Sequence, residues 1–168
     1  MQVPVILSRN FLFLQDMGIE KDINQTKFKS TRQKAMLNIM FSYGWLNEKI
    51  KCLLAPEDIT PQQYNILRIL RGSLPEPLST LQIRERMLDR MSDTSRIVDR
   101  LIAKELVDKA VCPKDRRLVD VTISAKGQSL LKKLDAEANQ LDKAIMSNIT
   151  ETEAETLSNL LDKIRHRK

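Results

Sequence analysis

The sequence predicts a mostly α-helical protein carrying one small β-hairpin. Three observations carry that expectation. Turn formers and aromatics are scarce: the 168 residues include four Gly, six Pro and 4% aromatics, a composition poorly suited to a β-sandwich or barrel. Apolar residues recur at three- and four-residue spacing through most of the chain, the period of an amphipathic helix. Between Leu106 and Ile123 the period shifts to two, the period of a strand.

Residues 1–26 read as an N-terminal extension or arm. Up to Leu14 the apolar residues are bunched without a helical period; either Met17 is the natural start, or 1–16 packs on a partner. Residues 27–54 read as a long helix with Phe28, Ala35, Ile39, Ser42, Leu46 and Ile50 near one face, stopped at Ala55 by Pro56. Thr60 followed by Pro61 is a strong helix start, a hydroxyl cap before a proline at the first position. That helix carries Tyr64, Ile66, Leu67 and Leu70 and ends at Gly72. Ser79 caps a short third helix with Leu81, Ile83, Met87 and Leu88 as apolar positions, and Ser92 caps a fourth with Ile97, Val98, Leu101 and Ile102 on one side.

Val107, Lys109 and Val111 then alternate with Asp108 and Ala110, and Val119, Val121 and Ile123 alternate with Asp120 and Thr122. Pro113–Arg117 is polar and turn-like, so the pair is expected to form a two-stranded hairpin with a charged tip. Ser124 caps a long helix to about residue 147, and Thr150 with Glu153 three residues on makes a capping box for the last. Two close-set short helices followed by a basic hairpin make a winged helix-turn-helix, expected over 60–123. The flanking segments 27–54 and 124–168 carry apolar stripes too continuous to stand alone in water, and are expected to form a helical dimerisation region.

Charge and composition bound the function. The net charge is +6, which favours a polyanionic partner. Two Cys and one His cannot build a four-ligand zinc site or a disulfide framework. No stretch has the roughly 20 apolar residues needed to span a bilayer, and no leader pattern is present, so no membrane association is expected. Two unpaired thiols fit a reducing cytoplasm. No phosphate-binding Gly-rich loop or paired His ligands appear, His166 has no nucleophile beside it, and neither a catalytic group nor a cofactor is expected.

The fourth helix shows the chemistry of a DNA-reading element. Short polar side chains and arginines stand at its N-terminal end and outer side: Ser92, Thr94, Ser95, Arg96 and Arg100. A helix N-terminus attracts phosphate, and Arg can pair in bidentate fashion with guanine. Lys114, Arg116 and Arg117 crowd the hairpin tip around one acid, Asp115. Asp115 is expected to orient a wing arginine, because a carboxylate facing phosphates is repelled.

Three segments, in this order, resemble the MarR-type bacterial transcriptional regulators: Ser95-Arg96-Ile97-Val98-Asp99-Arg100-Leu101, Asp115-Arg116-Arg117, and Val121-Thr122-Ile123-Ser124-Ala125-Lys126-Gly127. They look like the family's recognition helix, its Asp-x-Arg wing signature and the junction after the wing. The resemblance implies a homodimer whose terminal helices interleave. Each recognition helix would enter a major groove of double-stranded DNA and each Arg117 a minor groove. Lys109 resembles the basic residue often found on the rising strand. A repressor relieved by a small-molecule effector or by thiol oxidation is the usual role. Tyr43, Trp45 and Tyr64 would lie on helices enclosing the family's ligand pocket, with core packing as the alternative for each. Glu105 departs from the pattern, standing where a glycine commonly ends the recognition helix, so the turn is expected to be built differently. Ser95 stands where threonine is common.

Cys52 is expected to be a small core residue. Cys112, near Lys109, Lys114 and Arg116, could be activated by those cations; either thiol is a redox candidate. A winged-helix adaptor binding protein or RNA is the rival function, but it has no need for Arg96, Arg100, Arg116 and Arg117 together.

Overall fold

The computed structural model describes residues 18–111 and 119–166. The chain divides into two compact units, residues 1–52 and 53–168. In the first, a single-turn helix α1 (Ile19–Asp22) precedes the long helix α2 (Thr31–Leu54), whose last two residues enter the second unit. Helix α2 starts four residues later than the sequence periodicity suggests. Ser30 explains this: its hydroxyl accepts the Gln33 N–H at 3.1 Å and its carbonyl accepts that of Lys34, which caps the first turn. Phe28 stays outside the helix, with the Lys34 ammonium 5.9 Å from its ring centre. Cys52 is exposed, correcting the expectation of a core position.

The second unit continues with a 3-10 turn (Ala55–Glu57), α3 (Pro61–Ser73), β1 (Leu78–Ser79), α4 (Thr80–Arg86), α5 (Thr94–Ala103), β2 (Val107–Val111), β3 (Val119–Ile123), α6 (Ala125–Met146) and α7 (Glu151–Arg165). Complete capping boxes start α3 (Thr60 with Gln63), α4 (Ser79 with Gln82) and α7 (Thr150 with Glu153). The core is built from Ile66, Leu67 and Leu70 of α3, Ile83 of α4, Val98 and Leu101 of α5, and Leu131 and Leu134 of α6. Arg71 of α3 grips Asp135 of α6 with two parallel hydrogen bonds of 2.9 Å. Hydrogen bonding from that guanidinium holds the Asp135 carboxyl below its ordinary range.

The hairpin expected from the sequence is part of a three-stranded antiparallel sheet in the order β1-β3-β2. Leu78 pairs with Val121, and Val121 pairs on its other side with Lys109. Leu88 is not an apolar helix position: α4 stops at Arg86 and Leu88 is 92% exposed.

The end of α5 corrects another expectation. Glu105 takes the left-handed conformation (φ 60°) that glycine would favour. Its N–H bonds to the Ile102 carbonyl at 2.8 Å, and the Leu106 N–H bonds to the Leu101 carbonyl at 3.0 Å. These are the two bonds of a Schellman termination, with buried Leu101 and Leu106 as its apolar contact. The turn is therefore built as the glycine version would be, and its surroundings hold it. The Ser124 hydroxyl donates to the Glu105 carbonyl at 2.7 Å, and Lys126 pairs with the Glu105 carboxylate at 2.8 Å. Gly127 lets α6 approach this turn. A Cβ there would stand 2.2 Å from the Leu106 carbonyl oxygen and 2.8 Å from the Ile123 side chain.

Candidate nucleic-acid interface

Helix α5 divides cleanly by face. Val98 and Leu101 are buried, whereas Ser95, Arg96, Asp99 and Arg100 are exposed. The spacing produces this split, since residues three and four apart share a face. The cap of α5 is Asp93, not Ser92. The Asp93 carboxylate accepts the Arg96 N–H at 3.2 Å, and its second oxygen lies 4.0 Å from the Arg96 Nε. Ser92 and Asp93 are both good capping residues and adjacent, so the sequence left the choice to the turn. There Ser92 is already engaged: its hydroxyl donates to Asp89 at 2.6 Å.

Thr94 also corrects an expectation. It is 5% exposed, and its hydroxyl lies 3.4 Å from the Met87 sulfur. It packs the corner between α4 and α5 and is withdrawn from the outer face. Ser92 is half-buried and Ser95 exposed at the mouth of an open groove of about 440 Å³. That groove also takes in Arg84 and Arg90, two cations the sequence reading did not single out. Their signal was present: Arg84 follows buried Ile83 and so falls on the outward side of α4.

Lys109 is exposed on β2, and its ammonium lies 3.5 Å from the Asp99 carboxylate of α5, linking the wing strand to the outer side of that helix. The expected wing-tip residues Lys114, Asp115, Arg116 and Arg117, and the candidate thiol Cys112, lie outside the described residues. Tyr43 and Trp45 are 68% and 44% exposed on α2, so neither is a core position among the described residues. Tyr64 is half-buried on α3 with the Arg68 guanidinium 5.7 Å from its ring centre. Among the described residues, no group of three His, Cys, Asp or Glu could hold a metal ion. No described helix is long and apolar enough to cross a membrane.

Comparison with known proteins agrees with this geometry. The MarR family model matches residues 57–118. The solved structure of a MarR transcription factor from Planctomyces limnophilus is 31% identical, with 81% of this chain and 98% of that one covered and a TM-score of 0.63. The chain belongs to the MarR family. Its members are transcription regulators that bind DNA, not enzymes. The HTH-type transcriptional regulator MhqR of Bacillus subtilis is 26% identical over 132 residues, 78% of this MarR-family chain and 89% of MhqR. BpsR of Bordetella bronchiseptica, whose DNA binding is regulated by 6-hydroxynicotinic acid, is 20% identical with a TM-score of 0.68, covering 79% and 99% of the two chains; that likeness is one of fold.

Proposed function

We propose that this MarR-family regulator is a homodimeric, ligand-responsive repressor acting in the cytoplasm on an inverted-repeat operator. The observation that carries the reading is the outer face of α5: Ser95, Arg96 and Arg100 exposed, opposite a buried Val98–Leu101 side. A side chain that packs nothing and carries a fixed positive charge at the end of a rigid helix is suited to read base edges. Ser92 and Lys109 flank that face. Lys114, Arg116 and Arg117, with Asp115 orienting them, are assigned to the wing contact on the family resemblance.

Dimerisation is proposed through 27–54 and 124–168, with 60–123 as the DNA-binding domain and 1–26 as an arm. The support is apolar exposure. On α2, Met36, Met40, Phe41 and Tyr43 are exposed, and on α7 Leu157, Leu160 and Ile164 are 47%, 53% and 66% exposed. A chain of this size rarely leaves so much apolar surface in water without a partner. Effector response is proposed by analogy with relatives such as BpsR.

The test uses a duplex selected by the wild-type protein from a random-sequence pool. The protein should sediment and scatter at twice its chain mass and bind that duplex above a scrambled one. Arg96→Ala or Arg100→Ala should cost about 1–3 kcal/mol and relax the preference if the arginine is bidentate to a base. A monomer that binds the selected duplex with full affinity would overturn the dimeric reading. Unchanged preference in both variants would overturn the assignment of α5.

A further inference from the structure

We infer that Arg84 and Arg90 grip the sugar-phosphate backbone of bound DNA beside α5, so that α4 and the turn set the register while α5 reads the sequence. The inference rests on the operator-binding reading above.

The groove at the α4–α5 corner is lined by Thr80, Leu81, Arg84, Arg90, Ser92 and Ser95, among others. Both arginines are exposed, and neither makes an ion pair among the described residues. Of the acids close by in sequence, Asp89 and Asp93 have their oxygens engaged by the turn and the α5 cap, and Glu85 makes no ion pair with either arginine among the described residues. One oxygen of Asp89 accepts the Met91 N–H at 3.1 Å and the other the Ser92 hydroxyl at 2.6 Å. Asp93, itself on the groove, accepts the Arg96 N–H as the cap of α5. Asp89 and Asp93 thus order the turn and cap the helix, and among the described residues nothing takes up the donor forks of the two guanidiniums. A guanidinium fork matches the oxygens of a phosphate. Leu81 and Met91 lie on the same groove, 60% and 93% exposed; apolar surface beside free guanidiniums suits the deoxyribose face next to a phosphate. In helix-turn-helix docking the first helix crosses the backbone while the second enters the major groove, and α4 holds that first place. Arg86 provides an internal contrast: it is exposed on the same helix but does not line the groove.

The experiment is fluorescence anisotropy with the selected duplex and its scrambled counterpart across a fourfold salt range. Arg84→Ala and Arg90→Ala should weaken binding to both duplexes equally, leaving the specificity ratio at the wild-type value. The gap to wild type should shrink about 3.5-fold over that range, the change that one phosphate contact with a slope near 0.9 requires. Arg86→Ala should match wild type. If Arg84→Ala and Arg90→Ala bind as wild type does, or if Arg86→Ala weakens binding as much as they do, the inference is wrong. A loss confined to the selected duplex would make these residues base readers and overturn it as well. If the wild-type protein binds no duplex at all, it is the operator-binding reading that falls.

Discussion

Replacing Glu105 by glycine should make the protein more stable, although it deletes an ion pair. A non-glycine residue held in the left-handed region costs about 1 kcal/mol or somewhat more, and Glu105 sits there at φ 60°. Against this stands the Glu105–Lys126 pair at 2.8 Å, whose side chains are 80% and 58% exposed. A pair so exposed contributes little and is screened by salt. The backbone bonds of the termination, including Ser124 to the Glu105 carbonyl, are indifferent to the side chain. The balance favours Glu105→Gly by about 0.5–1 kcal/mol, or roughly 2 °C in Tm for a chain of this size. Glu105→Ala loses the pair and keeps the strain, so it should fall slightly below wild type, about 1 kcal/mol under the glycine variant. Calorimetry at one fixed protein concentration measures both, the fixed concentration removing any effect of assembly. Raising the salt should widen the advantage of glycine over wild type. Equal stability of the glycine and alanine variants would refute the reasoning, because the two differ in backbone freedom and not in the ion pair.

Gly127→Ala should cost about 1–3 kcal/mol, as overpacking against backbone does, since the new Cβ meets the Leu106 carbonyl at 2.2 Å; a urea titration reads it. Asp135→Asn should cost about 0.5–1 kcal/mol, discounted for exposure, because it removes the carboxylate charge and turns one of the two acceptors for Arg71 into a donor. Because the folded Asp135 carboxyl titrates below its ordinary range, its stabilisation is fully present above the unfolded value of about 3.9 and is lost as the pH falls through the folded one. Acid titrations of wild type and Asp135→Asn should therefore converge toward low pH. Thr94→Val should leave DNA specificity intact, since Thr94 is buried at the α4–α5 corner, and a relaxed base preference would return Thr94 to the interface.

Much of the second unit was legible because its signals are local. Thr60, Ser79, Ser124 and Thr150 each hold the cap their sequence context announces, and strands β2 and β3 follow from alternation. What escaped has no local signature. Strand β1 is two residues long and exists through its pairing with β3, so no period could reveal it. The cap of α5 went to Asp93 because Asp89 had already taken the Ser92 hydroxyl. Glu105 took a glycine's conformation because Ser124 and Lys126 help hold it there, and those contacts come from about 20 residues away along the chain. Arg84 and Arg90 carry no motif and gain meaning from the groove that collects them. On α2 apolar residues fall on several faces, so the periodicity that placed the helix did not say which face would be covered, and Cys52 was assigned inward when it is exposed.

Val121 stands opposite Leu78 on one neighbouring strand and Lys109 on the other, and the residue after Leu78 is the cap that starts α4. The return strand of the wing is thereby stitched to the first turn of the helix-turn-helix. A sheet joined in this way couples the base of the wing to the start of α4, so a change of angle between them would have to disturb the β1–β3 pairing. Duplexes whose groove geometry fits that angle would be accepted, and others would have to bend at their own expense. Mutational tolerance should divide along the same line. On the proposed reading the outer face of α5 is free to change with the operator, whereas changes at Val121 disturb two strands and a helix start together.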